Sequence, residues 1–119
     1  KNTVILFLPE NEYHELGLLF VYYLFKKQGL NILYLGANVP VKDLIYVVEK
    51  VKPHSLYTHL TSASGGFNLE RFIQNFSQLL PNQQLVISGF LSQSYKKAAP
   101  ANIKFKTSLA QVLEFAHHF

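Results

Sequence analysis

Glu12, His14 and Gly17 are the residues whose types and spacing best suit chemistry. A carboxylate stands two positions before an imidazole, and a glycine follows three positions later. A neutral imidazole binds a metal through one ring nitrogen, and a carboxylate that accepts a hydrogen bond from the other nitrogen fixes the tautomer and raises the basicity. We therefore interpret His14 as a candidate metal ligand and Glu12 as its hydrogen-bond partner. The alternative is a solvated pair in the first turn of a helix, where the acid complements the positive helix end.

These residues lie between an apolar strand and a long apolar helix. Further strands and helices alternate along the chain, which predicts one α/β domain with a doubly wound parallel sheet. We expect the Rossmann-like, flavodoxin-like strand order 2-1-3-4-5, with a ligand crevice where the loops after strands one, three and four meet. Strands are predicted at 3–8, 31–35, 55–60, 84–88 and 103–105, helices over about 15–28, 41–51, 69–80, 91–98 and 108–116, and a turn at 36–40, within a single domain, 1–119.

The first helix is apolar nearly all round. We expect one stripe to pack on the sheet and a second stripe to form an interface with another subunit or a further domain. The alternative is that the second stripe packs on neighbouring helices. The stripe predicted to face the sheet comprises Leu16, Leu19, Phe20, Tyr23 and Leu24, and the stripe predicted to form the interface comprises Leu18, Val21, Tyr22 and Phe25.

Composition excludes several classes of protein. The 119 residues are 49% hydrophobic with no cysteine, which indicates a packed domain and excludes disulfides, thiolate metal sites and a thiol nucleophile. No apolar run reaches the length of a membrane span and no signal peptide is visible, so we expect a cytoplasmic location. The charge of +4 comes from scattered lysines and one arginine, so we expect no direct binding of nucleic acid. Because Lys1 stands where an initiator methionine would, we expect one domain of a longer protein.

A family resemblance enters with the acid-x-His-x-x-Gly loop, the long helix after it, Tyr34-Leu35-Gly36 and Val39-Pro40. Over its whole length the chain resembles cobalamin-binding domains. Its residues 12–40 are most similar to the C-terminal sensor domains of MerR-type transcriptional regulators. The resemblance implies a cobalamin-binding sensor that is not itself an enzyme and that meets DNA only through an N-terminal domain.

The resemblance also implies roles for the loop residues. His14 would replace the cofactor's own benzimidazole as the lower ligand of cobalt, Glu12 would hydrogen-bond the histidine, and Gly17 would let the detached nucleotide tail run beside the sheet. The family usually has Asp where this chain has Glu12, and the regulator branch accepts Glu. The other cofactor-binding residues implied are Tyr13, Leu16, Thr58, His59, Leu60, Thr61, Ser62, Ser88, Gly89 and Phe90.

Two positions depart from the family pattern. The Ser-x-Leu expected at the end of strand three is at best Thr58-His59-Leu60, or, counted from Pro53, has His59 in place of the serine. Ser88 replaces the first residue of a Gly-Gly pair after strand four. An imidazole at position 59 would either obstruct the nucleotide tail or form a new hydrogen bond. The hydroxymethyl group of Ser88 adds bulk where the tail should pass.

Two alternatives use the same fold. In one, the cofactor has been lost, His59 and Ser88 fill the tail channel, and the domain serves interaction or dimerisation. In the other, the domain carries a corrinoid for a methyltransferase or mutase, and a separate module supplies the chemistry. Neither a nucleotide-phosphate motif nor a coherent group of paired carboxylates, activated serine or basic lysine occurs, so catalysis is not indicated.

Overall fold

Five parallel strands form the sheet that the alternating pattern predicts. The structure, a computed structural model, describes residues 2–61 and 67–119. The strands are β1 (Thr3–Pro9), β2 (Asn31–Val39), β3 (Ser55–His59), β4 (Leu85–Ser88) and β5 (Ile103–Lys106), and the helices are α1 (Leu16–Lys27), α2 (Val41–Val51), α3 (Leu69–Leu79) and α4 (Leu109–His118). The strand order β2-β1-β3-β4-β5 confirms the predicted topology. A short 3-10 helix, Phe90–Ser94, stands where a helix over 91–98 was predicted.

The centre of the sheet supplies most of the core. All side chains of residues 4–8 in β1 are fully buried, and so are Leu56 and Tyr57 in β3. A strand buried on both faces reads as a continuous apolar run, which is why β1 was predictable from its sequence. Helices α1 and α4 contact one another on one face of the sheet, and α2 and α3 contact one another on the other. None of the helices in the described part of the chain is long and apolar enough to cross a membrane.

Strand β2 continues where a turn at 36–40 was predicted, so that prediction was wrong. Phe7 of β1 pairs with Gly36, and Pro9 pairs with Val39, after two register shifts. Gly36 and Asn38 have φ angles of 86° and 59°, a region open to glycine and tolerated by asparagine. The extra residues bulge and bend the strand without ending its pairing, so β2 reaches the loop that carries His14.

The orientation of α1 is the reverse of the predicted one. Leu18, Val21 and Phe25 are buried and Tyr22 is partly buried, so the stripe expected to form an interface packs on the sheet. In the other stripe Leu24 is partly buried, but the remaining side chains are exposed, led by Leu16 at 84%. Phe25 decides the orientation because its ring meets Tyr57 of β3 at 5.0 Å and Phe115 of α4 at 5.7 Å between centroids. The interface prediction for Leu18, Val21, Tyr22 and Phe25 was therefore wrong.

Candidate functional site

The loop after β1 holds an exposed imidazole on a buried carboxylate. Glu12 Oε1 lies 2.7 Å from His14 Nδ1 and also accepts hydrogen bonds from the backbone N–H groups of Tyr13 and His14, at 3.1 and 3.2 Å. The Glu12 side chain is 2% exposed, whereas that of His14 is 60% exposed. Because a carboxylate only accepts hydrogen bonds, Nδ1 of His14 donates, and in the neutral ring Nε2 then has the lone pair. The imidazole is thus oriented with one nitrogen available to a metal.

Strand β2 fixes this loop from the side. The N–H of Asn11 donates to Oδ1 of Asn38 at 2.9 Å, and the N–H of Asn38 donates to the carbonyl of Glu12 at 3.1 Å. The phenol of Tyr34 donates to Oε1 of Glu15 at 2.8 Å, and burial together with this bond raises the pKa of Tyr34. Sequence reasoning missed these contacts. The signal available was Asn11 and Asn38, since asparagine is the non-glycine residue that best tolerates the positive φ angles of 71° and 59° found there.

A second histidine lies at the end of β3 and is held in a different way. His59 Nδ1 is 2.8 Å from Ser88 Oγ, and the phenol of Tyr57 donates to the same oxygen at 2.8 Å. Burial raises the pKa of Tyr57, so its phenol remains a donor. The hydroxyl proton of buried Ser88 then goes to Nδ1 of His59, which leaves the His59 proton on Nε2. Burial also lowers the pKa of His59, consistent with a neutral ring.

The His59 ring packs directly against Gly17 at the start of α1. A Cβ atom placed on Gly17 would lie 2.4 Å from Cδ2 and 2.8 Å from Nε2 of His59. Real Cβ atoms do not approach other atoms so closely, so the space that a side chain at position 17 would need is filled by the imidazole. His59 forms the new hydrogen bond that was predicted as one of two outcomes. Its partner is Ser88, the other residue that departs from the family pattern.

A groove of about 360 Å³ opens between α1 and α4, next to His59. That volume is at the lower end of the range for small-molecule sites. Its lining is mainly apolar, with Lys106 and Gln93 among the polar members, and His59 belongs to it whereas Gly17 does not. The half-exposed ring of Phe20, at 51%, is one wall. The exposed stripe of α1 therefore borders a concave surface.

Gly89 is required by the backbone of β3. Its φ angle is 99°, and a Cβ atom there would lie 2.3 Å from the carbonyl oxygen of Leu60. The N–H of Leu60 donates to the carbonyl of Ser88 at 2.8 Å, and the N–H of Leu91 donates to the carbonyl of Leu60 at 3.0 Å. The close approach of the two backbone segments that follow β3 and β4 is sufficient to explain why position 89 is glycine.

The remaining predicted site residues are divided between two faces of the sheet. Tyr13, Leu16, Thr61 and Phe90 are exposed near the carboxyl ends of the strands. Strand alternation puts Thr58 on the face opposite His59, and Thr58 and Leu60 are both buried. Thr58 Oγ1 and Glu12 Oε2 are buried atoms without a hydrogen-bond partner among the described residues. Ser62, with the rest of the loop 62–66, lies outside the described residues.

Two other features of the surface do not extend this site. A cleft of about 480 Å³ opens between the loop after β1 and α3, where Glu10, Asn11 and Arg71 line it, but neither histidine of the site does. Within residues 2–61 and 67–119 no three His, Asp or Glu side chains cluster as a metal site would need.

Comparison with known proteins points to one kind of fold. No protein-family model matches the sequence, and no curated protein does. Solved structures do match: a cobalamin-binding protein from Desulfitobacterium hafniense at TM-score 0.73 and 17% identity, and the methanol:cobalamin methyltransferase complex of Methanosarcina barkeri at 0.73 and 18%. The monomethylamine corrinoid protein of Methanosarcina barkeri matches at 0.74 and 16%.

The chain has the fold of a corrinoid-protein domain. The matches cover 99%, 98% and 98% of this chain but 58%, 45% and 57% of those chains, so the present chain spans about half of their length. At this level of identity the likeness concerns the fold, and residue roles depend on the geometry described above. The resemblance to cobalamin-binding domains is therefore supported at the level of architecture, while closeness to the MerR-type group is not shown.

Proposed function

We propose that this chain is a corrinoid-binding domain in which His14 is the protein ligand on the lower face of cobalt. The observation that carries the proposal is the pair formed by Glu12 and His14, in which a buried carboxylate holds an exposed imidazole by Nδ1 at 2.7 Å. Imidazole is a suitable ligand for a first-row transition metal, and a carboxylate on its second nitrogen raises its basicity. The shared fold of the solved corrinoid proteins supports the same assignment.

The residues fit the cobalt and the macrocycle of such a cofactor but do not fit its nucleotide tail. On the cobalt side, Glu12 orients His14, and exposed Tyr13, Leu16 and Phe90 offer apolar contact to a large flat macrocycle. Beside Gly17, the His59 ring fills the space into which a displaced nucleotide tail would run. When bound, a corrinoid would supply a cobalt ion with an exchangeable upper ligand. The chain's own residues would orient it and exclude water from its lower face.

The role of the domain in a larger protein has two candidate forms. The sequence resemblance supports a sensor in a transcriptional regulator, whose DNA contacts would come from another domain. The solved neighbours named for methyltransferase systems support a corrinoid carrier that presents the cofactor to a partner enzyme. In both forms this domain binds the corrinoid, and another domain or a partner enzyme supplies the DNA contact or the chemistry. A test of corrinoid binding therefore applies to both.

The test is a visible-absorption titration of the purified chain with diaquacobinamide, a corrinoid without a lower nucleotide. No base of the cofactor then competes with His14, so coordination of the imidazole shifts the spectrum directly. We expect a saturable shift for the wild type and none for His14→Ala. Glu12→Gln should bind about 10- to 100-fold more weakly, the usual effect of removing the group that orients a metal-binding histidine.

The other histidines require a control because exposed imidazoles also bind cobalt. His118 is exposed at the end of α4, and His118→Ala should titrate as the wild type does. A wild-type spectrum that does not change, or a shift that persists in His14→Ala, would count against the proposal. Far-ultraviolet circular dichroism of each variant separates loss of the ligand from loss of the fold.

A cofactor-free interaction module is the second candidate, and the position of His59 favours it. The His59 side chain fills part of the channel beside Gly17, and the Tyr57–Ser88–His59 hydrogen bonds hold it there. Such a module would show no spectral change with any corrinoid and no dependence on His14. The same titration therefore distinguishes it from a corrinoid-binding domain.

A further inference from the structure

The His59 ring and the shape of the space behind it bear on which corrinoids would enter this site. In an intact cobalamin, the base of the lower nucleotide occupies the axial position that His14 would take. That base must leave the cobalt and find room beside the loop, because its tether keeps it near the macrocycle. A corrinoid of the cobinamide class has no such base and needs no such room.

Gly17, three positions after His14 and the second residue of α1, offers a surface without a side chain. The imidazole of His59 already lies against it, since a Cβ atom on Gly17 would be 2.4 Å from Cδ2 of that ring. His59 also lines the groove of about 360 Å³, whereas Gly17 does not. The same imidazole therefore contacts the glycine surface and forms part of the lining of an apolar groove.

The ring is fixed in this position by two further residues. Nδ1 of His59 accepts from the Ser88 hydroxyl at 2.8 Å, and that oxygen accepts from the Tyr57 phenol at 2.8 Å. Ser88 and Tyr57 are both buried. If the imidazole turned away, the hydroxyl of Ser88 would lose the acceptor of its proton, which costs free energy at a buried side chain. The obstruction is therefore built into the fold.

We propose that His59 makes this domain selective for corrinoids that lack a complete lower nucleotide, the cobinamide class, over intact cobalamin. The inference rests on the proposed function, because it assumes that a corrinoid binds through His14. His59 would act by its position, because its ring lies in the path of the nucleotide tail and does not touch cobalt.

The experiment compares dissociation constants for diaquacobinamide and hydroxocobalamin, measured by spectral titration and by calorimetry. We expect the wild-type chain to bind diaquacobinamide at least tenfold more tightly. His59→Ser removes the ring and should reduce that ratio at least fivefold, chiefly by strengthening the binding of hydroxocobalamin. His54→Ser is the matched control, since His54 is exposed at the other end of β3, and it should keep the wild-type ratio.

A second variant covers the case in which His59→Ser does not fold. His59→Asn is smaller than histidine and can still accept a hydrogen bond from Ser88, so it should change the ratio in the same direction. Equal wild-type affinities for the two corrinoids would overturn the selectivity. So would weaker hydroxocobalamin binding in His59→Ser, which would mean that the imidazole holds the nucleotide.

The two proposals fail in different ways. If diaquacobinamide binds with dependence on His14 but hydroxocobalamin binds equally well, only the selectivity is wrong. If neither corrinoid changes its spectrum with the wild-type chain, the corrinoid-binding function itself is wrong, and the selectivity falls with it.

Discussion

The two histidines of the site are both held through Nδ1, yet their surroundings differ. His14 has a carboxylate as its partner, at 2.7 Å, and its side chain is 60% exposed on the loop after β1. His59 has a hydroxyl as its partner, at 2.8 Å, lies against Gly17 and forms part of the lining of the α1–α4 groove. The carboxylate partner orients the His14 ring, whereas burial lowers the pKa of His59.

The difference shows how one residue type serves two purposes in one site. The surroundings of His14 leave a nitrogen lone pair facing outward, as a metal ligand requires. Those of His59 use the ring as a rigid, neutral filler between a helix and two strand ends. We call the surroundings of His14 the open side and those of His59 the closed side. Substitutions on the open side should change ligand binding, and substitutions on the closed side should change packing and stability.

The largest effect is expected on the closed side, for Gly89→Ala. The new Cβ atom would meet the Leu60 carbonyl at 2.3 Å and would also require a φ of 99°. Backbone strain and overpacking each contribute about 1–3 kcal/mol, so the free energy of unfolding should fall by about 3 kcal/mol or more. Urea denaturation measures the loss.

Gly29→Ala is the matched control for this substitution. Its φ is 83°, but nothing lies within 4 Å of the added atom, so it should cost only about 1–2 kcal/mol, from the left-handed conformation alone. Similar losses for the two variants would show that the strand ends do not approach one another as described, and the closed side would then be loosely packed.

A smaller effect on stability should follow Gly17→Ala, and it should depend on His59. In the wild type the added methyl group meets the imidazole, which should lower the free energy of unfolding by about 1–3 kcal/mol. In the His59→Ser background that obstacle is absent, and alanine should be neutral or should stabilise the helix by up to about 1 kcal/mol. A double-mutant cycle by urea denaturation gives the coupling, and no coupling would contradict the contact.

The smallest expected effect is a pH dependence that belongs to His59. Burial lowers its pKa in the folded chain, so near the ordinary histidine pKa of about 6.5 the unfolded chain binds more protons. The stability from the neutral ring is full above about pH 6.5 and declines as the pH falls toward the lowered value. One proton limits the slope to about 1.4 kcal/mol per pH unit, and partial exposure makes it smaller.

Urea denaturation at pH 7.5 and pH 5.5 tests this dependence. The wild type should lose more stability between these two values than His59→Gln, which cannot titrate at position 59. An equal loss in both proteins would assign the dependence to other groups and would remove the evidence for a neutral His59.

The sequence predicted those parts of the site that local spacing controls. Glu12 and His14 are two residues apart in one loop, so their contact requires no knowledge of the rest of the chain, and it is present. The strand order was also predictable, because parallel strands joined by helices permit few arrangements. The contact of His59 with Ser88 was harder, since it needs the pairing of β3 with β4 that places the two residues side by side.

Helix α1 shows why pattern reasoning fails elsewhere. Its apolar residues cover nearly the whole circumference, so periodicity alone cannot choose which side faces the sheet. The choice came from the Phe25 ring, which fits between Tyr57 and Phe115. The bulges of β2 were missed for a similar reason, because Gly36 suggests a turn unless the neighbouring strand supplies partners for the residues that follow it.

By itself the sequence determined the α/β class, the strand order and the pairing of an acid with a histidine in the first loop, because periodicity and short spacing act through the chain's own connectivity. Only the tertiary structure decided which face of α1 is buried, and only there does His59 meet Gly17. Those contacts join residues far apart in the chain, and packing fixes them by shape and hydrogen bonding that no local pattern encodes.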